Sequence, residues 1–377
     1  MNTPVCDHSN CRDLVVIDPL AESYGHLLDD DRFWVMSLAN KVDRFRLISS
    51  STSTRRIAIE FPSVALQCHA DKDGSFDTLQ SSYHSRYFRR MSVAVSENSK
   101  VLLQSFHELS ALWFSIRNPG VKLYLIATNN LTGPGVRTKR RIFVQKWLFR
   151  RVAGIFVGSN FERELLIRVH GIPPQRVHKL GYHKLGVQHS ITPITQRKRA
   201  VVFLGDPSRV RGLETFVRWA RACSDSEYTF EIYSDFSHSP ARFAEVLGDF
   251  GGNVSVNNKY LSDEEYHNVI ASASFVALPF EKQFEGRLSG ILCDAIAHGT
   301  PVIATLQEPQ KSMFSYYGKF GALLHVNADD EIRRLLGQAL GHNWNDYQIS
   351  MQRIRDDHSG DQIAHQVLDV IFEGRGT

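Results

Sequence analysis

Apolar positions along the chain gather into short runs separated by longer amphipathic stretches, and the two kinds of segment alternate almost throughout. Residues 14–17, 100–104, 121–127 and 154–157 in the first half have the length and continuity of strands buried on both faces. So do 200–204, 229–233, 274–278 and 301–304 in the second. Between them the spacing predicts helices, the first over 32–41 after a loop at 18–28. Such alternation predicts α/β architecture, with parallel sheets and crossover helices. The stretch 188–198 is polar, aperiodic and contains Pro193, which places a domain boundary there. Residues 1–190 are expected to form one Rossmann-like domain. Residues 191–377 form a second, ending in a helical segment from about residue 345. Two such domains are expected to face a central cleft, because open parallel sheets bind ligands beyond the carboxyl ends of their strands.

Composition narrows the class. A chain of 377 residues exceeds what one core usually supports, and 42% hydrophobic with 22% charged residues is ordinary for a globular protein. No apolar run approaches the roughly 20 residues that span a bilayer. Residues 1–13 are polar and include Asp7 and Asp13, unlike a signal peptide. The five cysteines are too scattered for a disulfide framework, so a reducing cytoplasm is expected.

The net charge of +4 is mild but unevenly spread. Arg137, Lys139, Arg140, Arg141, Lys146, Arg150 and Arg151 follow one another with no acid between, and Trp147, Leu148 and Phe149 sit among them. Such a stretch (137–151) suits an anionic membrane surface or nucleic acid. The plainer alternative is a helix with Phe143, Val144, Trp147 and Leu148 turned to the core and a solvated basic face.

Chemistry concentrates after two strands of the second half. Val276-Ala-Leu-Pro-Phe280 reads as a strand end, then a loop containing Glu285 and Arg287 runs to a helix starting near Ser289-Gly290. Ser289 is a candidate N-cap, and Gly290 lets a ligand approach the backbone closely. Free amides of that first turn, with the helix dipole, suit a diphosphate. Asp294, about one turn further in, is placed to reach a ribose hydroxyl. The second segment is Val201-Val-Phe-Leu-Gly-Asp-Pro-Ser-Arg-Val-Arg-Gly212, a strand, a loop opening at Gly205 and a helix start. Arg209 and Arg211 would hold phosphate oxygens through paired hydrogen bonds.

These residues resemble the retaining glycosyltransferases of family 4, which have the GT-B fold. Asp294-Ala-Ile-Ala-His-Gly-Thr-Pro-Val-Ile303 is the most specific match. Leu204-Gly205 through Arg211-Gly212 is similar to the family's donor loop, and Phe156-Val-Gly-Ser-Asn160 to its last N-domain strand and helix. His107-Glu108 resembles its active-site histidine loop, and Ser23-Tyr-Gly-His26 its acceptor loop. Two departures stand out. Gly286 occupies the place of the family's usual glutamate, with Glu285 beside it, and Asp206 stands where an arginine usually follows the glycine.

The resemblance implies a metal-independent hexosyltransferase with no cofactor, moving sugar from a nucleotide-diphosphate donor with retention of configuration. His107, Arg211 and Glu285 are its catalytic candidates. Gly205, Arg209, Arg211, Arg287, Ser289, Gly290 and Asp294 bind the donor, while Gly25 and His26 face the acceptor. The C-terminal helix is expected to cross back to the first domain. The acceptor is expected to be a saccharide on a polyprenyl lipid, in bacterial polysaccharide assembly at the inner face of the plasma membrane. Residues 137–151 would make the membrane contact, and no nucleic-acid partner is expected. Two alternatives stay open: a GT-B nucleotide-sugar epimerase and a non-enzymatic polyanion-binding module. Leu28-Asp-Asp-Asp31 has a metal-binding spacing but lies before a predicted helix, where acids complement the dipole. Cys6, His8 and Cys11 lack a fourth zinc ligand.

Overall fold

The computed structural model describes residues 11–19, 27–68, 91, 93–104, 106–127, 139–237, 253–284, 286, 288–338 and 341–374. They form two compact units. One takes the described residues up to His183 together with those from Gly360 onward, and Lys184–Ser359 form the other.

The first unit is built on a seven-stranded sheet of order β3-β2-β1-β4-β5-β6-β7. In chain order these strands are Asp13–Ile17, Arg44–Ser49, Ala65–Cys68, Lys100–Leu103, Lys122–Ile126, Gly154–Val157 and Val177–Lys179. Every pairing is parallel, so each connection must cross over, and helices cover both faces. Side chains of β1 alternate between two cores. Val15 and Ile17 pack with Phe114, Leu148 and Phe149. Leu14 and Val16 pack on the opposite face with Trp34, Leu47 and Phe156.

The C-terminal helix Gly360–Leu368 belongs to this second core through Ile363, Ala364 and Val367. Residues 360–374 therefore return to the first unit. This is the crossing back expected of the C-terminal helix, and it makes the second unit 184–359 rather than 191–377. Burying three aliphatic side chains against Trp34 is worth several kcal/mol, enough to hold the helix there.

The helix Lys139–Arg151 settles what the basic stretch does with its apolar residues. Leu148 and Phe149 are fully buried, but Phe143 and Trp147 are 62% and 52% exposed, with ring centroids 6.2 Å apart. The inward face expected of Phe143, Val144, Trp147 and Leu148 thus holds for Leu148 and not for the two aromatics. Glu108, at the start of the helix Glu108–Arg117, takes hydrogen bonds from Arg141 (2.7 Å) and Gln145 (3.1 Å), which ties the two helices together.

The second unit has a six-stranded sheet of order β10-β9-β8-β11-β12-β13. Its strands are β8 Lys198–Leu204, β9 Thr229–Tyr233, β10 Val254–Asn257, β11 Ala273–Leu278, β12 Val302–Thr305 and β13 Gly321–Leu324. All pairings are again parallel. The chain runs outward from β8 to β10, then returns to β11 on the other side of β8. The loops after β8 and β11 therefore leave the same carboxyl edge side by side, at the point where doubly wound sheets bind ligands. Among the described residues no helix is long and apolar enough to cross a membrane.

Candidate functional site

The two loops at this reversal are locked together through their backbones. After β8 the chain passes Gly205, whose N–H donates to the Tyr233 carbonyl at 3.1 Å. Asp206 accepts from the Ser208 amide at 3.0 Å, which tightens the turn into a short helical stretch, Arg209–Arg211. Gly212 follows with φ +78°, and a Cβ there would lie 1.7 Å from the Pro279 carbonyl oxygen. Only glycine meets both conditions, so Gly212 sets how closely the loop after β8 approaches the loop after β11. The Glu281 amide donates to the Val210 carbonyl at 3.1 Å, adding a direct bond between them.

Arg211 takes its position from an aromatic platform. Phe280 and Phe284 stack with centroids 4.0 Å apart and are almost fully buried. The Arg211 guanidinium lies 4.9 Å from the Phe284 centroid and 5.7 Å from that of Phe280. A cation over aromatic rings gains about 0.5–2 kcal/mol and loses side-chain freedom, which pre-places the charge. Gly286 has φ +83° and donates its N–H to the Glu308 carbonyl at 3.0 Å. A glutamate at this position would be strained in that left-handed backbone.

The helix Gly290–Ala297 opens from Ser289, which has extended backbone angles (φ −86°, ψ 133°) but makes no side-chain capping bond. Ser289 is buried, and its Oγ has no hydrogen-bond partner among the described residues. No acid lies in the first turn, so the amides and the positive end of the dipole are left uncompensated. A Cβ placed on Gly205 would be 3.4 Å from Ile291 Cδ1, so the glycine of the first loop lies against this helix start.

Four residues into the helix, Asp294 accepts a 2.7 Å hydrogen bond from the Tyr266 hydroxyl, held on the helix Asp263–Ser272. Burial first, then the Asp294 charge, pushes the Tyr266 phenol well above its usual range, while Arg211 pulls it back. Arg211 and Asp294 thus act on one buried hydroxyl. The arrangement supplies a fixed cation, a bare helix terminus and a carboxylate whose second oxygen can accept from a sugar hydroxyl.

Of the expected site residues, Gly205, Arg211, Ser289, Gly290 and Asp294 come together at this one edge. Arg209 lies on the same loop, where its backbone alone is described. Glu285, Arg287, Gly25 and His26 lie outside the described residues. His107 belongs to the first unit, as the N-cap residue of the helix Glu108–Arg117, after β4 at the reversal of the first sheet. Its carbonyl accepts from the Ala111 amide and the Ser110 hydroxyl at 3.0 and 2.9 Å. Tyr266 and the Phe280–Phe284 pair were not legible as site residues, because no local spacing connects them to Asp294 or Arg211.

Asp31, expected to precede a helix and complement its dipole, lies within one instead. It is buried in the helix Leu27–Leu38 and accepts from the hydroxyls of Ser49 and Ser53. Burial, then the nearby Asp18, raises its carboxyl well above the usual range.

No family model and no curated protein matches the sequence. Solved structures do match its fold. A glycosyltransferase from Rickettsia africae is 11% identical, with a TM-score of 0.67, over 96% of this chain and 98% of that one. Anabaena Alr3699/HepE, solved in complex with UDP, is 9% identical with a TM-score of 0.67, over 96% and 100%. The N-terminal domain of a Candida albicans trehalose-6-phosphate phosphatase is 10% identical with a TM-score of 0.67, over 95% and 96%. At these identities the likeness establishes the fold: two parallel-sheet Rossmann-like domains of the GT-B type, shared with glycosyltransferases.

Proposed function

We propose that the protein is a retaining glycosyltransferase that moves a hexose from a nucleotide-diphosphate sugar to a saccharide acceptor. The observation that carries the reading is the uncapped, acid-free start of the helix Gly290–Ala297 beside Arg211, at the reversal of the second sheet. The complex of the Anabaena relative makes UDP the first nucleotide to test.

In this reading the first-turn amides and Arg211 hold the diphosphate, and Asp294 accepts from a ribose hydroxyl. As the bond between the anomeric carbon and the diphosphate oxygen breaks, its electron pair stays with the diphosphate. Arg211 and the helix terminus stabilise that growing charge. The acceptor hydroxyl bonds to the anomeric carbon from the face the diphosphate leaves, and its proton passes to the departing phosphate oxygen. Fixed positive groups substitute for a divalent cation at the diphosphate. Preorganised donors of this kind are worth about 3–4 kcal/mol each when removed.

The acceptor in this proposal is carried on a lipid at an anionic membrane on the cytoplasmic side. Phe143 and Trp147 are exposed on a helix whose exposed residues also include Lys139, Arg140, Arg150 and Arg151. Aromatic rings among basic side chains suit the headgroup region of such a membrane. Flotation with anionic vesicles at low salt tests this. Wild type is expected to float and Phe143→Ser/Trp147→Ser to stay below, and no flotation of wild type removes the membrane contact.

Thermal melting with millimolar UDP, GDP and ADP tests the donor site. A nucleotide at 100 times its dissociation constant adds about 2.7 kcal/mol, an easily read shift. Stabilisation by one of the three, lost in Arg211→Ala, supports the assignment. No response of wild type to any of them overturns it.

A further inference from the structure

We propose that His189, His267 and His298 form a binding site for one divalent transition-metal ion, with Zn²⁺ as the best-suited occupant. Candidate ligand nitrogens of the three rings all lie within 4.8 Å of one another. They come from three separate pieces of the second unit. His189 lies in the segment leading to β8, where its N–H donates to the Ala297 carbonyl at 3.1 Å. His267 lies on the helix Asp263–Ser272, and His298 is the C-cap residue of the helix Gly290–Ala297. Sequence spacing gave no hint of this trio.

The rings are already in contact: His267 Nδ1 and His298 Nε2 are 2.9 Å apart and share a proton, while His189 and His298 stack at 4.2 Å between centroids. Tetrahedral zinc with bonds of about 2.0–2.1 Å separates its ligand nitrogens by about 3.3 Å, so an ion taking the proton's place parts the His267–His298 pair and turns the His189 ring out of its stack. His298 Nδ1, the nitrogen turned away from His267, is buried with no hydrogen-bond partner among the described residues. His189 and His267 are only half-buried, which leaves a route from solvent.

Neutral imidazole is the form that binds metals, so the charges around the trio bear on its occupancy. Arg197, whose guanidinium donates to the His298 carbonyl at 2.9 Å, works against an added cation. Asp294 works for it, since its charge is felt at His189 and it sits one turn before His298. Three imidazoles with a fourth position left to water match the ligand chemistry zinc favours.

The test uses tag-free full-length protein, because a histidine tag would bind the same ions. After stripping with a chelator, the protein is titrated with Zn²⁺ against a chromophoric chelator. Wild type is expected to bind one Zn²⁺ per chain. His189→Ala and His267→Ala should each weaken binding about 100-fold or more, and the exposed His365→Ala should leave it unchanged. Melting in excess chelator checks that each variant is folded. Should both fold poorly, Co²⁺ added to wild type gives the second readout, with intense tetrahedral visible bands expected and weak octahedral ones counting against the site. Wild-type binding no tighter than that of the doubly substituted His189→Ala/His267→Ala protein overturns the proposal. Neither readout depends on nucleotide, so the result is independent of the donor-site reading.

Discussion

At its carboxyl edge, on the β1–β2 side of the reversal between β1 and β4, the first sheet carries carboxylates, whereas the second carries a guanidinium and an uncapped helix start where its order reverses. Beyond β1 and β2, Asp18 and Asp31 are buried close together, and burial with the nearby Asp18 raises the Asp31 carboxyl well above its usual range against the opposing pull of two serine hydroxyls. Beyond β8 and β11, Arg211 rests on Phe280 and Phe284 beside the uncapped helix at Ser289. Topology is shared, and electrostatics decide which edge suits a diphosphate. An anion brought to the first edge meets acids, while at the second it meets positive groups already fixed in place.

Removing the fixed cation should have the largest effect. Arg211→Ala is expected to lower turnover about 100–1,000-fold, equivalent to about 3–4 kcal/mol. Its melting temperature without ligand should stay close to wild type, because the buried Phe280–Phe284 stack remains. Initial rates of donor consumption, measured beside the unliganded melt, check both halves. Activity near wild type would remove Arg211 from the chemistry.

Next is the contact that holds the two loops together. Gly212→Ala sets a Cβ against the Pro279 carbonyl and keeps an unfavourable φ, at a cost on the order of 3 kcal/mol. Denaturant unfolding should show that loss together with a loss of nucleotide stabilisation. An unchanged midpoint means the loops are free to separate and the edge is not preorganised.

The acidic edge can be tested by pH. A carboxyl raised in the folded state contributes its full stability below the unfolded value of about 4. That stability is lost as pH rises toward the folded value. Asp31→Asn keeps an oxygen to accept from Ser49 and Ser53 but does not ionise. The stability of the variant relative to wild type should therefore grow as unfolding is measured from pH 5 to pH 8. A difference that does not change with pH leaves Asp31 without the raised carboxyl inferred for it.

How much of this was legible in the sequence follows from where the information resides. Buried runs such as β6 and residues 200–204 of β8 announce themselves as unbroken apolar stretches, and the loops after β8 and β11 carry Gly205, Arg211, Ser289 and Gly290 in readable order. β2 hid because Arg44 and Arg46 alternate with Phe45 and Leu47. β3 and β10 hid because edge strands are short and half-exposed. The return of residues 360–374 to the first unit is expected from the family resemblance alone, while the contacts with Trp34 that hold it are far away in sequence. Tyr266 beside Asp294, the aromatic rest beneath Arg211 and the three clustered histidines are likewise products of folding. A linear pattern shows which loops matter, and folding shows which side chains they recruit.

The finest test compares two serines in equivalent places within one domain. Ser262 caps the helix Asp263–Ser272 in a complete capping box with Glu265, and three acids follow in the first turn. Ser289 opens the helix Gly290–Ala297 with neither device. If the first terminus is built for stability and the second for a ligand, alanine at each should separate the two properties. Ser262→Ala is expected to cost about 1 kcal/mol of stability and leave nucleotide affinity unchanged. Ser289→Ala removes a buried hydroxyl with no partner among the described residues, so its stability should move by less than about 0.5 kcal/mol. Its nucleotide affinity should fall several-fold, through the loss of one donor beside the phosphates. Chemical denaturation and nucleotide titration of the two variants supply the four numbers needed. Equal stability losses with unchanged affinity would make Ser289 an ordinary cap and leave the first-turn amides and Arg211 to hold the anion alone.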